Sequence, residues 1–598
     1  MLIQSFGQII HLVGKNFLQG HHIEIPHCVG DFIPALEPFQ GIIGIVIPNV
    51  ECAYARLQVL LSSCTCRKSR TEEDNQRNHE AKKQLAGLHH GTNIPTAEHY
   101  LCAVGRERQF RKNEALMLDV EDVAFGGKGI ARITTDRGPF VVFIQNAFPG
   151  QKVEARVVKC KSRHAECRLE EVIERAPEEV ELDFQEIPGA PYARVPLPLQ
   201  HDVKEKTALD LYQRIGGVKG IDSVYEGFIP SPKNWHYRNK MEYSFSAIVH
   251  DPETGEKEDG FGFGFKKRGT WWAVENLNAD SGLFDPAVEN FLATLRAWFE
   301  QTGLPAWHPP KREGFYRFLV VRRSEANQKL LFNLVTSSDG LEAFDREQFV
   351  QLLTTEFGER LQGVLHTIND DKGDRVEARS GDSELIHGEA HITETLHGLD
   401  FDIEMSSFFQ TNPACAQALY AEVIAAVDAT PEEQSAWLPL STGEFIMDLF
   451  CGTGTIAQML ARHTGKPIIG VDIVEQAIED ARKSARNNGT DNIEFHAADV
   501  GKFLLEYPEY KGRIQSIVLD PPRAGISPKS LRKVIRMGAP RIVYVSCNPA
   551  TQARDIVILR EFGYELKRLK LVDQFPHTAH VEAIAVFEKT LKASTLDA

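Results

Sequence analysis

The sequence predicts an α/β protein: an open parallel sheet wound with helices near the carboxyl end, a mixed α+β region before it, and a small β-barrel ahead of both. Three observations carry this. From Ile446 onward, short β-branched apolar runs alternate with helical stretches, the pattern of a parallel sheet. From Leu116 to Arg168, short alternating strands are punctuated by the turn signals Gly126-Gly127 and Phe148-Pro149-Gly150. The length, 598 residues at 42% hydrophobic and 25% charged, exceeds a single core and suggests about three to five domains. A net charge of -16 excludes holding polyanions by bulk charge, so any nucleic-acid contact must use local basic patches. The 10 cysteines are thinly spread, no apolar run is long enough to span a bilayer, and the amino terminus lacks a secretory signature. The expectation is a cytoplasmic, reduced-thiol enzyme with no membrane association and no obligate protein partner.

Residues 1–112 form an extension without sustained periodicity. Cys64 and Cys66, with Cys28, Cys52 and Cys102, match no common metal spacing. Residues 113–175 read as the barrel. Its second strand pair, residues 152–168, carries Lys152, Arg156, Lys159, Lys161, Arg163 and Arg168 against Glu154 and Glu166. That suits an oligonucleotide-binding barrel and equally an ordinary barrel with a solvated basic edge. Residues 176–405 comprise a proline-containing linker, a helix over 199–215 and a mixed central domain. Its strand-like runs cover 241–249, 261–265, 318–322 and 330–335. Basic clusters (Arg238 and Lys240; Lys266, Lys267 and Arg268; Arg322 and Arg323) interleave with Trp235, Tyr237, Tyr243, Phe263, Phe265, Trp271 and Trp272. Rings beside cations are what splayed RNA bases and phosphates need, although charge runs are also common on solvated faces.

The chemistry concentrates in residues 406–590, followed by a tail, 591–598. Ile446-Met447-Asp448-Leu449-Phe450-Cys451-Gly452-Thr453-Gly454-Thr455 is a buried strand ending in a glycine turn that lets backbone approach a nucleotide-like ligand. Asp472 ends the next strand, placed to accept from both ribose hydroxyls of a cofactor, and Asp499 follows the third, placed to meet an adenine amino group. No full GxGxxG and no phosphate-loop lysine is present, which counts against dinucleotides and triphosphates. A fourth strand ends in Asp520-Pro521-Pro522-Arg523-Ala524-Gly525, where the prolines fix the backbone. A fifth ends at Ser546-Cys547-Asn548-Pro549, which sets Cys547 on a strand-to-helix loop where chemistry collects in such sheets.

These turns resemble the S-adenosylmethionine pocket of class I, Rossmann-like methyltransferases. Phe408-Phe409-Gln410-Thr411-Asn412-Pro413, Asp448 to Thr455, Asp520 to Gly525, Ser546 to Thr551 and Phe575-Pro576-His577-Thr578-Ala579-His580-Val581-Glu582 together resemble the family of RNA uracil-C5 methyltransferases, which make 5-methyluridine. The barrel is similar to that family's TRAM domain, and Tyr237-Arg238-Asn239-Lys240-Met241-Glu242 to its central substrate-binding domain. The resemblance implies Cys547 as nucleophile and Glu582 as the base that removes the C5 proton. It implies Gln410, Phe450, Asp472, Asp499 and Asp520 around cofactor and target base, beside Gly452 and Gly454 of the glycine turn. It also implies RNA as partner, 23S ribosomal RNA first because a TRAM domain typifies that branch, with transfer RNA as the alternative.

The chemistry accounts for the residue types. C5 of uracil is a poor nucleophile until a thiolate adds at C6, and the resulting adduct is released only after a base takes the C5 proton. Burial would raise the pKa of Glu582 toward the working range. Two departures matter. Many relatives carry four cysteines for an iron–sulfur cluster, but residues 177–238 contain none, and Cys160 and Cys167 sit in the barrel strands; no cluster is expected, and residues 188–200 must be held by packing. The cofactor acid is Asp472 where relatives often have glutamate. Cys415 and Cys451 read as small packed residues. A non-catalytic RNA-binding protein with a degenerate methyltransferase fold is the reading of another class, disfavoured because Cys547, Glu582, Asp520 and Gln410 are all present.

Overall fold

A computed structural model of the chain describes residues 109–136, 138–251, 254–376, 383–428 and 443–590. The extension up to residue 108, with Cys28, Cys52, Cys64, Cys66 and Cys102, and the tail lie outside the described residues.

The barrel comprises β1 (Ala115–Asp119), β2 (Asp122–Ala124), β3 (Lys128–Thr135), β4 (Gly138–Gln145), β5 (Lys152–Cys160) and β6 (His164–Glu174), in the order β1-β5-β6-β4-β3-β2. Alternate residues of β5 and β6 point inward, so Val153, Ala155, Val157, Cys160, Ala165 and Cys167 fill the interior. The basic residues of both strands therefore fall on the outside.

Helix α1 (Leu197–Arg214) and strand β7 (Tyr225–Ile229) follow. The central sheet then runs β8 (Lys240–His250), β9 (Lys257–Lys266), β10 (Val274–Asn276), β11 (Tyr316–Arg323), β12 (Leu330–Thr336), β13 (Leu361–Ile368) and β14 (Ser383–Gly388), ordered β10-β9-β8-β11-β12-β13-β14. Helices α2 (Pro286–Gln301) and α3 (Arg346–Phe357) cover one face with Phe291, Leu295, Phe299, Phe349 and Leu353. Hairpin β15 (His391–Leu396) and β16 (Leu399–Glu404) joins Val320, Leu331 and Leu365 on the other face to the catalytic core.

Here the structure corrects the sequence reading of the aromatic set. Tyr237, Tyr243 and Phe263 are buried, and Phe263 stacks on Phe245 at 4.3 Å between ring centroids. Trp235 stacks on His577 at 3.6 Å. Arg322 is buried and donates to Met405 O, while buried Arg323 donates to His236 O and pairs with Glu325. These side chains alternate with charged ones because alternate strand positions face the helix layer; burying one such ring contributes about 1.5–3 kcal/mol. Trp271 alone of the set is strongly exposed, at 56%.

The catalytic part contains α4 (Pro413–Asp428), β17 (Phe445–Leu449), α5 (Thr455–Thr464), β18 (Ile468–Asp472), α6 (Glu475–Asn487), β19 (Ile493–Ala497), α7 (Val500–Glu506), β20 (Ile514–Leu519), α8 (Pro528–Arg536), β21 (Arg541–Ser546), α9 (Pro549–Glu561), β22 (Tyr564–Val572) and β23 (Glu582–Lys589). The eight-stranded order is β19-β18-β17-β20-β21-β23-β22-β7. β17 to β21 are parallel; β23 runs antiparallel between β21 and β22. The edge strand β7 comes from the stretch that the sequence groups with the central domain. Side chains of α4, α5 and α6 pack on one face, and those of α1, α7, α8 and α9 on the other.

Candidate active site

Strand order reverses between β17 and β20, and ligands of open α/β sheets bind outside the carboxyl ends at such a switch point. Phe450 leaves β17 with φ 67°, and Gly452 and Gly454 follow at 52° and 73°. A Cβ at Gly454 would lie 2.6 Å from the Phe495 ring, whereas one at Gly452 would meet nothing within 4 Å. Gly454 is thus required by packing and backbone conformation, and Gly452 by conformation alone. The Phe450 and Cys451 N–H groups both donate to Val471 O. Asp472, ending β18, accepts from Gly452 N at 3.0 Å and from Val474 N at 2.9 Å, which fixes its carboxylate at the rim. Asp499 is exposed and caps α7, accepting from Lys502 N.

The cysteine half is built from side chains. Ser546 pairs with Ala583 in the β21–β23 ladder, so Cys547, one residue beyond β21, and Glu582, the first residue of β23, lie at adjacent strand ends. Asp520 follows Leu519, which pairs with Tyr544 of β21. The loops are laced together. Ser546 Oγ donates to Asn548 O and accepts Asn548 N–H, Asn548 Nδ2 donates to Arg523 O at 3.1 Å, and the Asn548 side chain caps α9. Gln410 precedes α4, accepts from Gln574 Nε2 at 3.4 Å and faces the Tyr420 phenol.

Electrostatics separate the halves. Burial, with Asp520 nearby, pushes Glu582 up to about 8, Arg523 opposing the shift. Burial pushes Asp520 to about 7. Asp448, wholly buried in β17, is pushed to about 8 by burial and by Asp520; it makes no hydrogen bond of normal geometry, though Ala457 N–H faces it and lowers the cost. The Cys547 thiol rises to about 11 through burial and the Glu582 and Asp520 carboxyls, against Arg523. Burial first, and the neighbouring carboxyls second, thus hold the Cys547 thiol above its ordinary value.

The structure brings Cys547, Glu582 and Asp520 together, sets Gln410 against the facing Tyr420, and places Phe450, Gly452, Gly454 and Asp472 on the glycine-turn side, with Asp499 at the rim. Sequence reasoning missed Asp448 and Tyr420 as site residues and Phe408, 73% exposed two residues before Gln410, as a free aromatic face. An acid inside the apolar run Ile446-Met447-Asp448-Leu449 was a legible signal; a tyrosine in an apolar helix offered none.

A glycine turn at a sheet switch point beside a desolvated thiol and carboxylates defines a class I methyltransferase. Residues 440–582 match the methyltransferase domain family and residues 109–169 the TRAM domain. An uncharacterized RNA methyltransferase of Clostridium acetobutylicum is 33% identical over 485 residues, 80% of this chain and 99% of that protein. One from Caldanaerobacter subterraneus subsp. tengcongensis is 34% identical over 483 residues, 80% and 100% of the two chains. The crystal structure of Pyrococcus abyssi tRNA (uracil-54, C5)-methyltransferase with S-adenosyl-L-homocysteine is 26% identical, with TM-score 0.58, covering 79% of this chain and 100% of that one. The chain belongs to the family of these RNA methyltransferases, TRAM domain included, and its cofactor is S-adenosylmethionine.

The residues present fit that cofactor. Asp448 is a buried carboxyl in the strand that ends at the glycine turn, its oxygens making no hydrogen bond of normal geometry, Asp472 is held at the rim, and Ile473 and Val474 beside it are exposed at 70% and 53%, apolar surface that suits a purine. Among the described residues no group of three or more His, Cys, Asp or Glu side chains is placed to hold a metal ion, and no helix is long and apolar enough to cross a membrane. The cysteine-free segment is held by Tyr192, Val195 and Phe148, with Gln200 Nε2 donating to Tyr192 O and Val195 O.

Proposed function

We propose that this enzyme methylates C5 of a uridine in 23S ribosomal RNA through a covalent adduct with Cys547. The observation that carries the reading is the convergence of Cys547, Glu582 and Asp520 at adjacent ends of β21, β23 and β20. The target base leaves its stack to reach the thiol, and the exposed Phe408 ring offers a face for it. Cys547 sulfur bonds to C6, the C5–C6 π electrons move toward O4, and the thiol proton passes to Asp520. S-adenosylmethionine supplies the electrophilic methyl group that C5 takes. Glu582 then removes the C5 proton; that electron pair restores the double bond and expels the sulfur, the thiolate recovers its proton from Asp520, and Glu582 gives the C5 proton up to solvent. Asp520 faces the uracil edge, and Gln410, Phe450, Gly452, Gly454, Asp472 and Asp499 line the cofactor side.

Transfer RNA is the second reading. The Pyrococcus abyssi enzyme, named for a transfer-RNA uridine, is covered over its whole length, so the barrel does not itself separate the substrates. Purified protein and Cys547→Ala are incubated with methyl-labelled S-adenosylmethionine and unmodified 23S ribosomal RNA or transfer RNA. The expected result is label in ribosomal RNA only, at least 1,000-fold (~4 kcal/mol) lower in the variant. Label in transfer RNA changes the substrate; label undiminished in Cys547→Ala overturns the mechanism.

A further inference from the structure

The turn that delivers Glu582 is anchored at its entry by a buried charge cluster outside the pocket. Asp573 directly follows Val572, the register partner of Glu582, and opens the loop that returns as β23. Lys204 Nζ on α1 donates to Asp573 Oδ1 at 2.6 Å and to Phe575 O at 3.1 Å, both side chains being wholly buried. His201 Nε2 lies 3.1 Å from Asp573 Oδ2. Burial would raise the Asp573 carboxyl, but the hydrogen bonds from His201 and Lys204 outweigh it and keep the group ionised. The same helix grips the loop again further on, Gln200 accepting from His577 N at 2.8 Å. None of these contacts touches the nucleophile, whose loop is held by Ser546, Asn548 and Arg523.

We propose that Lys204 and Asp573 are positioning residues for the second half of the reaction: they hold the turn that sets Glu582 over C5, and are dispensable for addition of Cys547. An ion pair sealed from water is costly to maintain and is weak evidence for stability, so a pair spent at the root of the base's turn calls for a role in geometry. The proposal rests on the covalent mechanism proposed above. Without the pair, S–C6 bond formation and methyl transfer proceed, while removal of the C5 proton and expulsion of sulfur slow.

The test compares wild type, Lys204→Met, Lys204→Arg and the double variant Lys204→Met/Asp573→Asn, which leaves no lone buried charge and keeps the question answerable should the single variant fold poorly. Each is given the RNA that wild type methylates, either with ordinary uridine or with 5-fluorouridine, whose C5 carries no proton to remove and so traps the adduct. The expected result is adduct formation on 5-fluorouridine RNA within about threefold of wild type. Turnover on ordinary RNA falls at least tenfold, with a denaturant-stable protein–RNA complex accumulating, and Lys204→Arg recovers part of it. Parallel loss of trapping and turnover, or turnover unchanged, overturns the proposal. Wild-type protein that forms no adduct with 5-fluorouridine RNA overturns the covalent mechanism instead.

Discussion

Between the ends of β17 and β19 the pocket wall is made largely of backbone: a turn at positive φ, N–H groups committed to Val471 O and Asp472, and a glycine packed on Phe495. Between β20 and β23 it is made of titratable side chains whose backbone serves only to bring strand ends side by side. The first half offers shape, and the second offers groups that can exchange protons. A backbone wall is rigid but chemically inert, whereas desolvated carboxyls acquire pKa values near neutrality and can exchange protons at working pH.

The contrast is broken most severely on the reactive side. Glu582→Gln is expected to lower turnover by about 100- to 10,000-fold while cofactor affinity stays within about threefold, since the amide cannot take the C5 proton. Calorimetric titration with S-adenosylhomocysteine and single-turnover assays check both, with the trapped adduct rising in the variant. Next comes the backbone side. Gly454→Ala forces a Cβ to within 2.6 Å of a buried ring at φ 73°, so it should weaken cofactor binding by about tenfold or more and cost about 1–3 kcal/mol of stability. Methyl transfer by the variant should then recover as cofactor concentration is raised.

The smallest effect concerns protons. Glu582 and Asp448 titrate near 8 and Asp520 near 7 in the folded chain, above ordinary carboxyls. At these three groups the folded state thus holds protons that the unfolded state has already released, so their contribution to stability is greatest below the ordinary carboxyl range and declines as pH rises toward 8. Between pH 5.5 and 8.5, denaturant unfolding should show lower stability at 8.5, and Asp448→Asn should flatten the slope. A slope of opposite sign would show that these groups are ionised when buried.

Much of this was legible in the chain. The strands ending at Asp472, Leu519 and Ser546 could be read because a buried parallel strand is a short β-branched run and the residue after it is where ligands are met. The ring-and-cation clusters of the central domain misled, since Tyr243 and Phe263 have the spacing of an exposed stacking platform yet face α2. Spacing records which residues share a face of a strand, not what covers that face.

The sequence by itself determined the chemistry on offer: a thiol after a strand, a glutamate opening the last one, a glycine turn and acids at successive strand ends. The tertiary structure alone decided how those groups behave. The antiparallel insertion of β23 beside β21 set Glu582 next to Cys547, burial moved the carboxyls and the thiol upward together, and α1 supplied Lys204 to anchor Asp573 at the root of the turn before Glu582. Residue types and local spacing are fixed along the chain, but desolvation and the field of neighbouring charges depend on what distant segments bring against a group, and only the folded packing specifies that.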